Sequence, residues 1–291
     1  MRNLVGFFKV RLTLSVVISA LSGYLFAGGK DIAVLFYLVL GGFLITAASN
    51  GANQIWERHR DAKMSRTQQR PLVTKAMGLA QAYWLCGVTL ATGAFALYLI
   101  NLNSFLLGLF AFVSYVFVYT PWKARSPWAV FIGAFPGAIP PMLGAIAHVE
   151  DFGFIPGLLF FIQFMWQFPH FWSIAWVLHE DYQKAGYFLL PSKSGKTKFS
   201  ASLIAMYSLI LIPISLIPWL LGLVGFFSIV VVGILGVWFY FLSYRLYTTC
   251  EDKDAKKLMF ASFVYLPVIQ FTYVFTRDEI VLQKLIEHGL F

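Results

Sequence analysis

The stretch that decides the fold is residues 32–61, IAVLFYLVLGGFLITAASNGANQIWERHRD. Its first part, residues 32–52, is an apolar run of about 20 residues, long enough to cross a hydrocarbon core of about 30 Å as an α-helix. Its last part carries amide, acidic and basic side chains. We therefore predict a membrane-spanning helix that delivers a polar cluster to one face of a bilayer.

Comparable apolar runs recur along the whole chain. Of its 291 residues, 59% are hydrophobic and 12% are charged, whereas soluble domains carry about 25% charged residues. The expected fold is an all-α polytopic membrane protein, one domain over residues 1–291, with nine transmembrane helices around a central cavity. The predicted helices are 12–28, 32–52, 77–100, 103–119, 128–147, 154–178, 200–220, 223–246 and 258–275.

Lysine and arginine mark alternate connections between these helices. Of the 22 such residues, all but Lys30, Arg277 and Lys284 fall on one side of the predicted topology. Because cytoplasmic loops are rich in these residues, the N-terminus is expected in the cytoplasm and the C-terminus outside. The net charge of +9 then reflects orientation, so we expect a lipid bilayer and no nucleic acid as partner. The basic connections are the N-terminus, 53–76, 120–127, 179–199 and 245–257.

The N-terminal segment bears on the cellular location. Its first apolar run ends in Ala27-Gly28-Gly29 and is superficially similar to a signal peptide. Because many further spans follow, we expect an uncleaved first helix. An Arg- and Ser-rich amphipathic presequence is not seen, which favours a bacterial inner membrane over a mitochondrial one.

Three side chains at the end of the helix in 32–61 stand at helical spacing. Asn53, Glu57 and Asp61 occupy positions i, i+4 and i+8, so a continuing helix presents them on one face. Two carboxylates and an amide oxygen are hard ligands suited to Mg²⁺, which in turn binds substrate phosphates. The alternative is a solvated helix end on which the acids pair with neighbouring arginines. Acidic residues are costly in transmembrane segments, which favours the metal site.

Basic residues follow this acidic motif. Arg66 and Arg70 have the side-chain geometry that grips phosphate oxygens in a two-pronged contact. Lys123 and Arg125, in the next basic connection, are either further phosphate ligands or determinants of topology. Acidic side chains that bind a metal, next to basic side chains that bind phosphate, are the combination that a diphosphate ester requires.

A second polar cluster lies at the predicted cytoplasmic end of the sixth helix. Gln167 and His170 interrupt an aromatic, apolar run, and Asp181 and Lys184 follow it. Buried polar groups of this kind need partners, in a site or in the packing of helices. His170 is therefore either a functional group or a hydrogen-bonded packing residue. Asp181 is either a site carboxylate or the partner of Lys184 at a helix end.

The fifth predicted helix contains small residues and three prolines within residues 133–144, GAFPGAIPPMLG. Small residues permit close contact between helices, and prolines interrupt the backbone hydrogen-bond pattern. We expect this helix to form one wall of a pocket.

Taken together, these segments resemble the membrane prenyltransferase superfamily that includes 4-hydroxybenzoate polyprenyltransferase, and within it the protoheme IX farnesyltransferase branch. The resemblance covers nearly the whole chain and rests on several motifs in order. The matching residues are Asn53, Glu57, Asp61, Met64, Arg66-Thr67 and Arg70-Pro71, then Tyr119-Thr120, Gly137-Ala138, Pro140-Pro141 and Gly144, then Trp166-Gln167, Pro169-His170-Phe171-Trp172, Asp181-Tyr182 and Ala185-Gly186.

The resemblance implies transfer of a farnesyl group from farnesyl diphosphate to a vinyl group of protohaem IX (haem B), giving haem O and diphosphate with Mg²⁺ as cofactor. It further implies delivery to terminal oxidase or haem A synthase machinery. The implied metal ligands are Asn53, Glu57, Asp61 and Asp181. The implied catalytic residues are these four with Arg66, Arg70 and His170. The implied substrate contacts are Arg66, Arg70, Tyr119, Lys123, Arg125, Gln167, His170 and Lys184.

The sequence departs from that branch in places and leaves alternatives open. Trp122-Lys123-Ala124-Arg125 stands where the branch has Leu-Lys-Arg, which leaves the role of the basic pair undecided. His170 either orients or ligates the haem or acts as a base towards water. The acceptor is either haem or an aromatic quinone precursor. An ion-coupled transporter is the alternative outside the enzyme class, but acids at helix ends and the absence of a convincing internal repeat disfavour it.

Overall fold

Residues 2–287 are described by a computed structural model whose long elements are all helices. In this part of the chain the α-helices are α1 (Arg2–Phe7), α2 (Val10–Phe26), α3 (Ile32–Asp61), α4 (Leu79–Tyr98), α5 (Leu102–Val113), α6 (Thr120–Trp122), α7 (Ala129–Val149), α8 (Phe154–Val177), α9 (His179–Lys184), α10 (Lys198–Leu220), α11 (Phe227–Thr249), α12 (Asp252–Thr276) and α13 (Glu279–Glu287). A π-helical segment, Ser114–Tyr119, joins α5 to α6.

Each predicted span overlaps one helix, except 103–119, which overlaps α5 and the π-helical segment. Within residues 2–287, seven helices are long and apolar enough to cross a membrane, with Leu102–Trp122 taken as one. α2 is shorter, with 17 residues, and α8 carries glutamine and histidine among its apolar residues. The helix predicted at 258–275 begins earlier, at Asp252, because acidic residues stabilise a helix N-terminus.

The π-helical segment has a local cause in the sequence. Pro121 has no backbone N–H and therefore cannot donate a hydrogen bond to the preceding helical turn. The turn before it widens, so that the N–H of Thr120 reaches the carbonyl of Tyr115. The Thr120 hydroxyl donates to the same carbonyl at 2.9 Å. The widened turn places the last residues of this span against α3.

α2 and α7 approach each other unusually closely. A Cβ atom on Gly144 would lie 1.8 Å from the carbonyl oxygen of Ala20, and one on Gly23 would lie 1.9 Å from that of Pro141. Only glycine fits at these positions, as at other membrane helix contacts. The small residues of α7 thus have the predicted role in close packing, and α7 remains one continuous helix from Ala129 to Val149 despite its three internal prolines.

Buried polar groups connect the helices in the middle of the bundle. The Gln163 carbonyl accepts from the Ser19 hydroxyl at 2.6 Å and from the Gln270 amide at 2.8 Å. A cavity of about 10 Å³ lies beside them, lined in part by Ser22 and Tyr273.

Candidate active site

The last turns of α3 carry the predicted acidic motif on one buried face. Asn53, Glu57 and Asp61 are 1%, 3% and 1% exposed, and all three lie on an unbroken helix. The side chains therefore point into the protein, not to solvent. This burial excludes the alternative of a solvated helix end, and the neighbouring Arg58 donates to the backbone of Ile55.

Each of these three side chains has one cationic partner from elsewhere in the chain. The ammonium of Lys9 donates to Asn53 Oδ1 at 3.1 Å, and that of Lys123 lies 3.2 Å from Glu57 Oε1. Arg70 Nη1 lies 2.5 Å from Asp61 Oδ2. We call this set the acidic pocket: Asn53, Glu57 and Asp61 with their partners Lys9, Lys123 and Arg70.

The other oxygen of Asp61 has no partner. Asp61 Oδ1 is buried and accepts no hydrogen bond. A buried carboxylate oxygen without a partner is costly, and here it lies beside a second carboxylate and an amide on the same helix face. Hard oxygen donors in this arrangement fit a divalent cation such as Mg²⁺. The acidic pocket therefore suits the metal that the sequence predicts.

Lys123 reaches the pocket because the π-helical segment turns its helix end towards α3. Asn53 Nδ2 donates to the Thr120 hydroxyl at 3.1 Å, which links the two helix ends. The Lys123 ammonium also lies over the Tyr119 ring, 4.8 Å from its centre. Burial lowers the pKa of Lys123, but the carboxylate of Glu57 and the neighbouring tyrosines together raise it by more, so this pKa lies well above its usual range.

The connection after α3 folds back on the helix end. The Thr67 hydroxyl donates to the backbone carbonyl of Asp61 at 2.8 Å, and this turn returns Arg70 to the Asp61 side chain. Arg66 lies apart from that ion pair. Its guanidinium lies over the Tyr182 ring, 5.5 Å from its centre, so it faces the connection that contains α9.

Asp181 joins the two long basic connections. Its carboxylate accepts from the Ser65 hydroxyl at 2.8 Å and from the Arg66 backbone N–H at 3.3 Å. The Ser65 hydroxyl is the main cause of the lowered pKa of Asp181, and the charge of Lys184 adds to it. Within residues 2–287, no three His, Cys, Asp or Glu side chains group as a metal site. Asp181 and the two acids of α3 thus do not form a three-carboxylate metal site.

The predicted residues of α8 face neighbouring helices. Gln167 donates to the Ala134 carbonyl at 2.8 Å. The His170 ring is stacked on Trp166, with ring centres 4.3 Å apart, and its Nδ1 is 2.7 Å from the Ser262 hydroxyl. His170 is therefore oriented by hydrogen bonding and packing together.

Two of the predicted substrate-binding cations lie outside the acidic pocket. Arg125 is exposed at the surface after α6. The Lys184 ammonium lies 3.5 Å from Asp181, and its side chain is 59% exposed. The helix-end pair that the sequence allowed for Asp181 is thus present, in addition to its contacts with the connection after α3.

Sequence reasoning missed Lys9 and Tyr187. Lys9 stands at the break between α1 and α2, where the periodicity of apolar residues gives no indication of a distant partner. Tyr187 is 2% exposed, and the Lys123 ammonium lies 5.9 Å from its ring centre. Burial and the neighbouring charge of Glu57 raise the pKa of Tyr187. A buried tyrosine just after Asp181-Tyr182 was the available signal.

The chain matches the UbiA prenyltransferase family over residues 16–265. It belongs to this family. Among curated members, the protoheme IX farnesyltransferase of Cytophaga hutchinsonii is 45% identical over 272 residues, covering 92% of this chain and 95% of the relative. That of Christiangramia forsetii is 41% identical over 275 residues, covering 92% and 91%.

Solved structures share the fold. A digeranylgeranylglyceryl phosphate synthase is similar with a TM-score of 0.76 at 16% identity, covering 97% of this chain and 98% of its own. A UbiA homologue from Archaeoglobus fulgidus, solved with GPP and Mg²⁺, has a TM-score of 0.63 at 15% identity, covering 94% and 100%. These likenesses confirm the all-helical architecture of the family for this chain.

Proposed function

We propose that this chain is a Mg²⁺-dependent protoheme IX farnesyltransferase, which transfers the farnesyl group of farnesyl diphosphate to a vinyl group of haem B and produces haem O and diphosphate. The observation that carries this proposal is the acidic pocket, where buried metal-ligand oxygens meet cations suited to a diphosphate. The curated relatives, at 45% and 41% identity over most of the chain, supply the acceptor and the prenyl donor.

Asn53, Glu57 and Asp61 are the proposed metal ligands of the pocket, and the unpartnered Asp61 Oδ1 supports this assignment. Bound Mg²⁺ would neutralise diphosphate charge and so favour departure of the leaving group. The Archaeoglobus fulgidus homologue, which shares this fold, was solved with GPP and Mg²⁺. We assign Asp181 to the same end of the site, where it orders the connection carrying Arg66 and Arg70.

Arg70 and Lys123 are the proposed diphosphate contacts nearest the metal ligands. Each already lies against a carboxylate, within 2.5 and 3.2 Å, and each can turn its remaining N–H groups to phosphate oxygens. Negative charge grows on the diphosphate as the C–O bond breaks, and fixed cations stabilise it without reorganisation. Arg66 would extend this contact, whereas Lys184 and Arg125 would guide the anion from the surface.

The allylic carbocation that remains needs a dry, electron-rich surrounding. The rings of Tyr119 and Tyr187 lie near the Lys123 ammonium in the ligand-free protein. Once Lys123 has turned to the diphosphate, these ring faces can stabilise the carbocation instead. The vinyl group of the haem then attacks the allylic carbon. Water adds to the cation left on the porphyrin side, and its proton leaves to solvent or diphosphate.

His170 and Gln167 are the proposed haem contacts on α8. Ser262 holds Nδ1 of His170, which leaves Nε2 as the nitrogen that faces a substrate. We assign His170 the role of orienting or ligating the haem. A role as base towards the water that adds is the other outcome of the test described in the Discussion.

The membrane arrangement forms part of the proposal. All nine long helices of residues 2–287, α2 and α8 included, would cross the bilayer, with the N-terminus in the cytoplasm and the C-terminus outside. This places the acidic pocket at the cytoplasmic ends, where a water-soluble diphosphate arrives. The chain would act as one domain in a bacterial inner membrane and pass haem O to terminal oxidase or haem A synthase machinery.

The deciding experiment uses purified full-length protein in detergent with Mg²⁺, farnesyl diphosphate and haem B, followed by mass analysis. We expect a hydroxyethylfarnesyl porphyrin that disappears with EDTA and in Asp61→Ala. Undiminished Mg²⁺-dependent turnover by Asp61→Ala would refute the metal site. Consumption of farnesyl diphosphate with 4-hydroxybenzoate but not with haem B would retain the family and replace the acceptor.

A further inference from the structure

Lys9 is held in a strained backbone conformation at the break between α1 and α2. Its φ and ψ are 46° and 53°, the left-handed region that side-chain-bearing residues rarely adopt and that costs about 1 kcal/mol or more. Such a conformation persists only where its surroundings enforce it. The enforcing groups are therefore informative about what the break is for.

Two buried amides of α3 enforce this break. Gln54 donates to the backbone carbonyls of Gly6 and Phe7 at 3.0 and 2.7 Å. Asn50 donates to the Thr13 hydroxyl at 3.2 Å, and that hydroxyl donates to the carbonyl of Phe8 at 2.8 Å. Helix α3 thus fixes the backbone on both sides of Lys9. The break directs the Lys9 ammonium to Asn53, which also lies on α3.

The acidic pocket holds more basic side chains than acidic ones. Lys123 and Arg70 contact the acids Glu57 and Asp61 directly, whereas the third basic side chain, Lys9, contacts the uncharged Asn53. A divalent cation together with a diphosphate ester, which is about trianionic at neutral pH, brings one net negative charge. The pocket therefore has one basic side chain, Lys9, without an acid of its own, and the anionic diphosphate is the group that would pair with it.

We propose that Lys9 is a diphosphate-binding residue that rests on the Asn53 side-chain oxygen in the ligand-free protein and transfers to a diphosphate oxygen when metal and diphosphate bind. This inference rests on the proposed function, since it uses the same pocket. It also gives Asn53 Oδ1 two successive partners: the ammonium of Lys9 before binding and the metal afterwards.

If Lys9 exchanges Asn53 for diphosphate, its removal should change the affinities for metal and for diphosphate in opposite directions. Without diphosphate, the Lys9 ammonium competes with a metal ion for Asn53, so Lys9→Met should bind Mn²⁺ about five- to tenfold more tightly. With Mg²⁺ present, the same variant lacks one charged donor and should bind inorganic pyrophosphate about tenfold more weakly. A purely structural role would weaken both.

The test measures Mn²⁺ binding by electron paramagnetic resonance and pyrophosphate binding by calorimetry, on full-length protein in detergent. Lys256→Met is the matched control, because Lys256 is an exposed lysine of α12, and it should bind both ligands as the wild type does. Lys9→Arg should retain most of the pyrophosphate affinity, which keeps the test decisive where Lys9→Met does not fold.

Two results would overturn the proposal: unchanged affinities in Lys9→Met, or a parallel loss of both. Wild-type protein that binds pyrophosphate without any dependence on Mg²⁺, or not at all, would instead remove the proposed function and this inference with it. Wild-type binding that depends on Mg²⁺ and is lost in Asp61→Ala, together with an unaffected Lys9→Met, would refute the role of Lys9 alone.

Discussion

The ion pair between Lys123 and Glu57 should stabilise the helix bundle as well as the site. The side chains are 14% and 4% exposed and 3.2 Å apart. Removal of one partner of a buried pair costs about 3–5 kcal/mol because the other charge stays buried alone. Lys123 retains some exposure and Lys9 lies nearby, so we expect Lys123→Met to lower the free energy of unfolding by about 3 kcal/mol.

A double-mutant cycle isolates the pair. Glu57→Gln leaves Lys123 against the ring of Tyr119 and should cost less, about 1–2 kcal/mol. The double variant removes both charges together, so its cost should fall about 2 kcal/mol short of the sum of the single costs. The measurement is unfolding in mixed detergent micelles with SDS, followed by circular dichroism in EDTA.

The exposed pair between Lys30 and Glu279 is the control, with side chains 74% and 62% exposed at 3.6 Å. The corresponding cycle with Lys30→Met and Glu279→Gln should show no measurable coupling, because solvent screens exposed pairs. Single costs at Lys123 and Glu57 that add within about 0.5 kcal/mol would refute the reasoning, since uncoupled sites add to that accuracy. They would show that the two charges are solvated separately.

Three further predictions concern packing, the connection between loops, and the acceptor. Gly144→Ala places a Cβ 1.8 Å from a backbone oxygen and should lower the free energy of unfolding by about 1–3 kcal/mol or more. The control Gly157→Ala, whose Cβ would have nothing within 4 Å, should unfold as the wild type does. Ser65→Ala removes the main cause of the lowered pKa of Asp181 and should speed tryptic cleavage after Lys63, with Ser194→Ala as control. In the wild type, the contact of Asp181 with the connection after α3 is stable above about pH 4 and weakens as the pH falls through the lowered pKa. In Ser65→Ala this weakening should begin at a higher pH. His170→Ala should weaken haem binding in an absorbance titration and leave pyrophosphate binding intact, whereas unchanged haem affinity with slower product formation would assign His170 the role of base.

The long helices were predictable because their signal is local. An apolar run of about 20 residues determines a membrane-spanning helix without reference to the rest of the chain, and the spacing of Asn53, Glu57 and Asp61 determines a shared face once the helix continues. These features needed only neighbours within eight positions. The structure places them as the periodicity predicts.

The partners of these residues were not predictable, because they come from distant parts of the chain. Lys9 is 44 positions from Asn53, Lys123 is 66 positions from Glu57, and Ser65 is 116 positions from Asp181. Nothing in the local pattern distinguishes a lysine that enters the pocket from one that remains exposed in a basic connection. Arg125, expected beside Lys123 as a ligand, is exposed, because the helix ends at Trp122 and Arg125 lies in the turn that follows.

The π-helical segment Ser114–Tyr119 makes the helix of residues 102–122 one residue longer than its rise requires. A widened turn holds about one residue more than an α-helix needs to cover the same rise. Deletion of Val118, whose side chain is 41% exposed, would therefore leave a regular helix whose Lys123 end is still turned towards Glu57. Deletion of one residue within Leu102–Val113 would instead rotate that end by about 100°. Two shortenings of one helix thus separate the length of the span from the orientation of Lys123.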